Sequence, residues 1–364
     1  MMDHYLARRD KLRQAVKKAD ADALLVTDFT NVCYLTGFSG DDSYLLVRTD
    51  GDTILSDGRY TTQLEEECPG LDKHIRKPGD TMVKAIAKVL RAAKPGRLGV
   101  EGDSMTLSLR DAIEGELPKL PFVTTSGLVE RLRRIKDKEE IAELRQAIWY
   151  AEKAFGVLRA TLRPDKTEKQ LADELDQQLR LFGAKGSSFP AIIAAGPRAA
   201  LPHARATDAP IGAADFVLID WGADGGRYKS DLTRVLVTGR ISPKLERVYR
   251  VVLSAQLKAI AAIRPGRSAQ DVDRVAREVI AEAGFGRYFN HGLGHGLGLQ
   301  VHEAPRLGAN SRVLLKPGMV VTVEPGVYLP GWGGVRIEDD VLVTRTGHEV
   351  LTSVEKQLED VVVP

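Results

Sequence analysis

Cysteine is scarce: the 364 residues hold only Cys33 and Cys68, 35 positions apart and outside any Cys-x-x-Cys spacing. That count argues against a disulfide framework and a thiolate zinc site, and makes the reducing cytoplasm the expected location. Charge of one sign is missing too. Lys and Arg number 52 against 50 Asp and Glu, a formal +2, too weak for a general nucleic-acid or membrane-surface footprint. No run of about 18 apolar residues occurs, so no membrane span is expected. The opening residues, with Arg8 and Arg9, are charged where a signal peptide would be apolar. What is there is a 43% hydrophobic and 28% charged chain, the balance of a globular protein with ample material for a core. At about 150 residues per domain, its length suggests two domains.

Residues 1–130 read as an α/β domain of alternating short helices and strands. Leu6, Leu12, Val16 and Ala19 share a helical face ahead of the apolar run Ala23 to Val26. Tyr44 to Val47 and Thr53 to Leu55 flank Asp50-Gly51, a hairpin turn signal. Helices are expected over Thr81 to Ala93 and near Leu107 to Leu117, on either side of a strand at Arg97 to Val100. No catalytic cluster stands out, and a scaffold, substrate-rim or subunit-contact role is the expectation.

The charged stretch Arg131 to Glu140 opens a second domain, 131–364. Asp137 and Glu140 have capping-box spacing ahead of a long apolar stripe stopped by Pro164. Thr167 and Gln170 repeat the cap before a helix ending at Gly183. The pattern then recurs: Ser242-Pro243 starts a helix closed by Pro265-Gly266, and Ser268 caps another that ends at Gly284. Leu162-Arg-Pro-Asp-Lys-Thr167 and Ile263-Arg-Pro-Gly-Arg-Ser268 match at a constant offset of 101, as do Gly183 and Gly284. A strand hairpin follows each helix pair, at 215–239 and at 319–344. The reading is an α+β domain of duplicated helix–helix–hairpin halves about a pseudo-twofold; the identity is thin, and chance is the competing explanation.

The hairpins carry carboxylates. A two-residue turn at Gly225-Gly226 sets Asp220 directly opposite Asp231, their Cβ atoms about 5 Å apart on one face. Asp220 also follows the apolar run Phe216 to Ile219, where an unpaired carboxylate is costly to bury. Two like charges there need a cation. In the second hairpin Glu324 and Glu338 each lie seven residues from Gly331, so each half supplies a pair. Of the chain's seven histidines, His291, His295 and His302 crowd into 12 positions among glycines that disfavour a helix. That excludes the helical His-Glu-x-x-His arrangement, and the setting favours a metal and proton-transfer site over ordinary core histidines. Four carboxylates and an imidazole form a hard donor set, better suited to Mn²⁺ or Co²⁺ than thiolate-bound zinc. Their charge exceeds what one divalent ion neutralises; two ions about 3.5 Å apart generate hydroxide at neutral pH and polarise a scissile carbonyl.

Five motifs, Ile219-Asp220-Trp221-Gly222, Ser230-Asp231-Leu232-Thr233-Arg234, the His291 to Glu303 run, Val323-Glu324-Pro325-Gly326 and Arg336-Ile337-Glu338-Asp339, resemble those of the pita-bread-fold metallopeptidases. That family includes prolidase, aminopeptidase P and methionine aminopeptidase. Asn31 to Phe38 and Ser56 to Tyr60 resemble the creatinase/prolidase N-terminal domain, which methionine aminopeptidases generally lack. The resemblance implies a pita-bread catalytic domain preceded by that smaller α/β domain. It also implies a dinuclear exopeptidase that cleaves the Xaa-Pro bond, in dipeptides or at the N-terminus of longer peptides, through a metal-activated hydroxide.

On this pattern Asp220, Asp231, His295, Glu324 and Glu338 hold two divalent ions, with Asp231 and Glu338 bridging. Mn²⁺ is foremost, with Co²⁺ or Zn²⁺ as alternatives. No ligand position departs from the pattern, unlike creatinase, whose related fold lacks the metal set. His203 and His302 would hold the substrate carbonyl and stabilise the oxyanion, Glu324 would shuttle the proton, and His291 would line the proline pocket. Thr233 and Arg336 would orient the carboxylates, an ordinary strand hydrogen bond or ion pair being the alternative. Arg306 would reach a substrate carboxylate, or else be structural. His4, His74 and His348 fall outside every motif and read as ordinary surface residues. The expected partners are a proline-containing peptide and a second copy in a homodimer, with no nucleic acid or membrane. A methionine-type or broad aminopeptidase on the same site, and a metal-free binding protein retaining the fold, stay open.

Overall fold

In the computed structural model, which describes residues 4–363, the apolar run at 23–26 becomes an inner strand of a six-stranded sheet, and the chain divides after Arg133 into two units. The first unit runs α1 (His4–Lys18), β1 (Ala23–Val26), α2 (Phe29–Thr36), β2 (Tyr44–Arg48), β3 (Asp52–Asp57), α3 (Thr61–Glu67), β4 (Asp72–Arg76), α4 (Met82–Ala93), β5 (Leu98–Glu101), α5 (Leu107–Glu116), β6 (Phe122–Thr125) and α6 (Leu128–Arg133). The sheet order is β4-β3-β2-β1-β5-β6. β1 is parallel to β5 and antiparallel to β2, and all its residues are buried, which is why it reads as one continuous apolar run. Thr81 caps α4, and Lys94 in the left-handed conformation closes it before Pro95. The β2–β3 hairpin pairs Tyr44 with Leu55 and Val47 with Asp52. Its turn therefore sits at Thr49-Asp50, one residue earlier than the expected Asp50-Gly51, because Arg48 N–H bonds to Gly51 O (3.1 Å) and closes the loop there.

The second unit contains α7 (Lys138–Ala160), α8 (Glu168–Phe182), β7 (Gly186–Ser187), β8 (Ile192–Ala195), β9 (Phe216–Trp221), β10 (Ala223–Asp224), β11 (Leu232–Val237), α9 (Pro243–Ala262) and α10 (Ala269–Glu282). It continues with β12 (Gly294–Gly296), β13 (Glu303–Leu307), β14 (Val320–Val323), β15 (Gly326–Leu329), β16 (Gly333–Arg336), β17 (Asp339–Val343) and β18 (His348–Val350). The Asp137/Glu140 and Thr167/Gln170 capping boxes both form. Trp221 fastens β9 to α7: its ring stacks on Phe155 at 4.2 Å, and its Nε1–H donates to Ala151 O (3.0 Å).

The halves share a three-stranded antiparallel core. One contains the antiparallel order β8-β9-β11, the other β12-β14-β17. At each second-helix cap the chain makes the same three backbone bonds. Glu168 and Lys169 N–H donate to Ala209 and Thr207 O while Ile211 N–H returns to Lys166 O. In the other half Ala269 and Gln270 N–H donate to Val313 and Ser311 O while Leu315 N–H returns to Arg267 O. A match at this level of backbone detail supports duplication over chance.

The first hairpin corrects the expected register. Asp220 pairs with Thr233, and not with Asp231. The turn lies one residue further along, closed by Gly225 N–H to Tyr228 O (2.9 Å), with Gly226 at φ 112°. Moving the turn by one residue shifts every partner by two, which conserves side-chain parity. Asp231 thus stays on the face of Asp220, along a diagonal. The second hairpin is centred on Gly331, pairing Val323 with Asp339 and Gly326 with Arg336. Between those pairs the ladder opens: Glu324 N–H turns to Leu293 O (2.8 Å) and Glu338 N–H to Thr233 O (3.1 Å). The second of these bonds joins one half to the other.

Candidate active site

The opened ladder and the first hairpin aim their acidic side chains into one cavity of about 1500 Å³. Asp220, Asp231, His295, Glu324 and Glu338 all line it, together with His203, His291, His302, Arg306 and Arg336. Asp231, His295 and Glu338 each offer a ligand atom within 4.8 Å of the others. His295 Nε2 stands 3.2 Å from Glu324 Oε1 and 3.6 Å from Asp231 Oδ2. Its Nδ1 lies 3.2 Å from Gly296 O; a carbonyl only accepts, so Nδ1 carries the proton and Nε2 faces the carboxylates as a free donor atom.

The electrostatics are those of a site built to hold a cation. Burial, then repulsion from Glu338, Asp220 and Glu324, holds the Asp231 carboxyl well above the usual carboxylate range, and burial with repulsion from Glu324 and Asp220 does the same to Glu338. Burial likewise raises Asp220, against the pull of the Arg336 guanidinium. Burial also acts upward on Glu324, but the His295 and His291 rings and the Arg336 guanidinium beside it hold it below its ordinary value. Asp220 Oδ1 and Glu338 Oε1 are buried with no hydrogen-bond partner. Such orphans are rare in native interiors, and here each belongs to a carboxylate whose other oxygen is occupied: Asp220 Oδ2 by Arg336 Nη2, Glu338 Oε2 by Thr233 Oγ1 (2.6 Å). The free oxygens, the imidazole and the flanking carboxylates are a donor set that fits hard divalent cations.

Behind this set Arg336 also donates to Thr233 Oγ1 (3.1 Å) and to the Tyr328 hydroxyl (2.8 Å). Tyr328 lies 3.0 Å from His291 Nε2, and His291 Nδ1 lies 2.8 Å from Gly292 O. The proton directions follow: Arg336 to Tyr328, Tyr328 to His291, His291 to Gly292. Burial pushes the Tyr328 phenol up to about 12, so it remains a donor at neutral pH. Thr233, absent from the cavity wall, is completely buried beneath it.

The histidine-bearing segments are held from the helices. In α10, Asp273 is 1% exposed and accepts from Leu293 N–H (3.0 Å). Arg277 clasps Asp273 through two nitrogens and donates to Phe289 O (2.9 Å) and His291 O (2.8 Å). In α8, fully buried Glu168 accepts from Ala195 N–H, Thr207 N–H and Arg198 Nε at 2.9–3.0 Å, clamping the loop that carries His203. His302 sits against the His295 ring, centroids 4.4 Å apart, and burial followed by repulsion from His295 lowers its pKa. Next to it, Glu303 pairs with Lys136 (3.2 Å), both side chains nearly completely buried. His203, His302 and Arg306 are exposed on the cavity side of the fold.

Tyr328 and the Asp273, Arg277 and Glu168 clamps were not among the sequence candidates. Tyr328 carried one readable signal, its place four residues after Glu324 in a strand facing Arg336. The clamps carried none, since their partners are backbone atoms distant in sequence.

A model of metallopeptidase family M24 matches residues 142–345, and one of the creatinase/prolidase N-terminal domain matches residues 8–135. The chain is 35% identical to the Xaa-Pro dipeptidase of Pyrococcus horikoshii, over 98% of this chain and 100% of the relative. It superimposes on the solved Xaa-Pro dipeptidase from Bacillus anthracis with a TM-score of 0.94 at 38% identity, covering 99% of this chain and 100% of that one. The X-Pro aminopeptidase from Thermotoga maritima gives 0.88 at 33% identity, covering 96% and 99%.

Proposed function

The chain belongs to metallopeptidase family M24, and from that premise we propose that it is an exopeptidase hydrolysing the peptide bond that precedes proline, with two divalent ions held by Asp220, Asp231, His295, Glu324 and Glu338. The observation that carries the metal assignment is the pair of orphaned oxygens on Asp220 and Glu338, buried among carboxylates that need a cation. Asp231 and Glu338 would each help to hold both ions in this reading. Mn²⁺ is the preferred ion, with Co²⁺ and Zn²⁺ as alternatives. When bound, the ions supply an activated hydroxide at neutral pH and polarise the scissile carbonyl.

The chain's own groups do the rest. Glu324, hydrogen-bonded by Thr322 Oγ1 (3.2 Å) and beside His295, takes the proton from the attacking water and delivers it to the leaving proline nitrogen. His203 and His302 donate to the carbonyl oxygen as negative charge gathers there. His291, with its ring fixed by Tyr328 and by the edge of Phe289 at 5.0 Å, walls the space for the proline ring. The Arg306 guanidinium has no hydrogen-bond or ion-pair partner among the described residues and is free to meet a substrate carboxylate or carbonyl. Thr233 and Arg336 orient Glu338 and Asp220.

Proline specificity has a physical rationale. An Xaa-Pro bond is a tertiary amide without an N–H, so a peptidase relying on that donor fails on it and a dedicated ring pocket is required. Support comes from the relatives named as Xaa-Pro enzymes and from the creatinase/prolidase N-terminal domain. No helix of the described chain is long and apolar enough to cross a membrane. A cytoplasmic homodimer completes the proposal, in keeping with a chain that holds only two cysteines. The test is a peptide panel with Mn²⁺: Ala-Pro, Gly-Pro, Ala-Pro-Ala and Met-Ala-Ser. Cleavage of proline peptides is expected; cleavage of Met-Ala-Ser alone would overturn the assignment in favour of a methionine-type aminopeptidase.

A further inference from the structure

The His302 ring makes no hydrogen bond among the described residues; it rests against the His295 ring, centroids 4.4 Å apart. A donor that meets a developing oxyanion has to be placed to within about 0.5 Å. With no bond to the ring itself, that placement comes through the backbone that carries it.

The backbone in question is a hairpin. Gly296 on β12 pairs with Glu303 on β13, and residues 297–302 form the loop between them. His295 lies on one arm and His302 at the head of the other. The loop closes on the Glu303 carboxylate: Oε1 accepts from Gln300 N–H (3.1 Å) and Oε2 from Lys136 Nζ (3.2 Å). Gly298 packs directly over that carboxylate, and a Cβ there would come within 2.7 Å of Oε2. The loop is further tied by Leu297 N–H to Val320 O (3.1 Å) and by Lys229 N–H to Gly298 O (2.9 Å). Lys136 is anchored in turn by its own N–H to Gly318 O (2.8 Å). Glu303 is thus held at both oxygens away from the cavity, which neither it nor Lys136 lines, while the adjacent His302 stands on the cavity wall.

Both members of this ion pair are sequestered, their side chains 1% and 5% exposed. A buried ion pair is a poor way to stabilise a fold, since an apolar pair of similar volume often does as well or better. An apolar pair cannot, however, fix a loop at two defined atoms, because apolar burial has no direction. We propose that Glu303 and Lys136 are positioning residues for His302, their buried pair fixing the loop from which the imidazole reaches the substrate carbonyl. The inference rests on the reading of His302 as an oxyanion donor.

The test is a mutant cycle on Ala-Pro hydrolysis by the Mn²⁺-loaded full chain. Lys136→Met/Glu303→Met swaps both charges for side chains of similar length and leaves no unpaired buried charge, so the fold is kept. Its kcat should fall about tenfold or more, while KM and Mn²⁺ affinity by calorimetric titration stay within about twofold of the parent. In a His302→Ala background the same two changes should cost less than about twofold, because the group they position is already gone. Parent-like kcat in the folded double variant would overturn the proposal. So would an equal loss in both backgrounds, or weakened Mn²⁺ binding, which would shift the effect to His295. Should the double variant not fold, Glu303→Gln is carried through the same cycle and judged by the same outcomes. A His302→Ala variant with the kcat of the parent would instead overturn the oxyanion role of His302, and a parent inactive on Ala-Pro the Xaa-Pro reading beneath both.

Discussion

Thr233→Val isolates the link between the two halves and the metal ligands. Valine keeps the volume and removes two hydrogen bonds: Thr233 Oγ1–H to Glu338 Oε2 (2.6 Å) and Arg336 Nε–H to Thr233 Oγ1 (3.1 Å). Arg336 keeps its bonds to Tyr328 and Asp220, so the principal loss falls on Glu338, both of whose oxygens are then unpartnered. A hydrogen bond to a charged acceptor contributes about 1.5–3 kcal/mol net. The bond favours the ionised carboxylate against burial and the charges of Glu324 and Asp220, and the ionised form is the one a cation needs. Most of the loss therefore appears in ion affinity, which should weaken about 10–100-fold, as outer-shell partners typically do. Calorimetric titration of stripped protein with Mn²⁺ measures it directly. Thr233→Ser, which restores the hydroxyl, should recover most of the affinity. A valine variant that binds Mn²⁺ like the parent, or a serine variant no better than valine, would refute the argument that Thr233 prepares Glu338 for an ion.

Chelation should abolish peptidase activity, and Mn²⁺ or Co²⁺ should restore it; full activity in demetallated protein would be incompatible with the cage. In the stripped protein the raised folded pKa values of Asp231 and Glu338 give stability present below the ordinary carboxylate range and lost as pH rises through those values. The rise in Tm on adding Mn²⁺ should consequently be larger at pH 7.5 than at pH 5.5, and a pH-independent rise in calorimetry would contradict that. His302→Ala should lower kcat about 100-fold, the usual effect of losing one oxyanion donor, with metal content by mass spectrometry intact; metal loss would move His302 into the ligand set. Tyr328→Phe breaks the Arg336–Tyr328–His291 relay and should cost about tenfold in kcat/KM on proline peptides, mainly through KM. Unchanged kinetics would remove Tyr328 from the substrate wall.

The motifs and the duplication were legible because each has a local signature. Caps at Asp137, Thr167, Ser242 and Ser268 all form at their helices, since a cap is decided within four residues. The face shared by Asp220 and Asp231 was legible even though their pairing was not: a two-residue register error leaves side-chain parity intact. α2, α3, β4, β6 and α6 were not foreseen. Each is short, and its placement is decided by tertiary contacts such as Glu101, which accepts from Thr27 and Asp28 N–H and from Asn31 just ahead of and within α2. The Glu168 and Asp273 clamps escaped for the same reason, because a buried carboxylate bonding a remote backbone leaves no periodic trace.

The placement of the cage at the join between the halves follows from its electrostatics. One hairpin alone could relax its two carboxylates toward water. With the halves joined through Glu338 N–H to Thr233 O, the two sets face each other in a buried space, and pairing buried charge is what prevents a heavy desolvation cost. Arg336 is the buried guanidinium that reaches these carboxylates from the protein side, and it is spent on Asp220 and the Tyr328 relay. The remaining negative charge on Asp231, Glu324 and Glu338 must be met either by protons, as the raised carboxyls of Asp231 and Glu338 show, or by metal ions. Ions that replace those protons bind the folded state and not the unfolded chain, so they stabilise the join while completing the site. A duplicated fold that closes on opposed carboxylates therefore acquires its chemistry and part of its stability from the same bound cations.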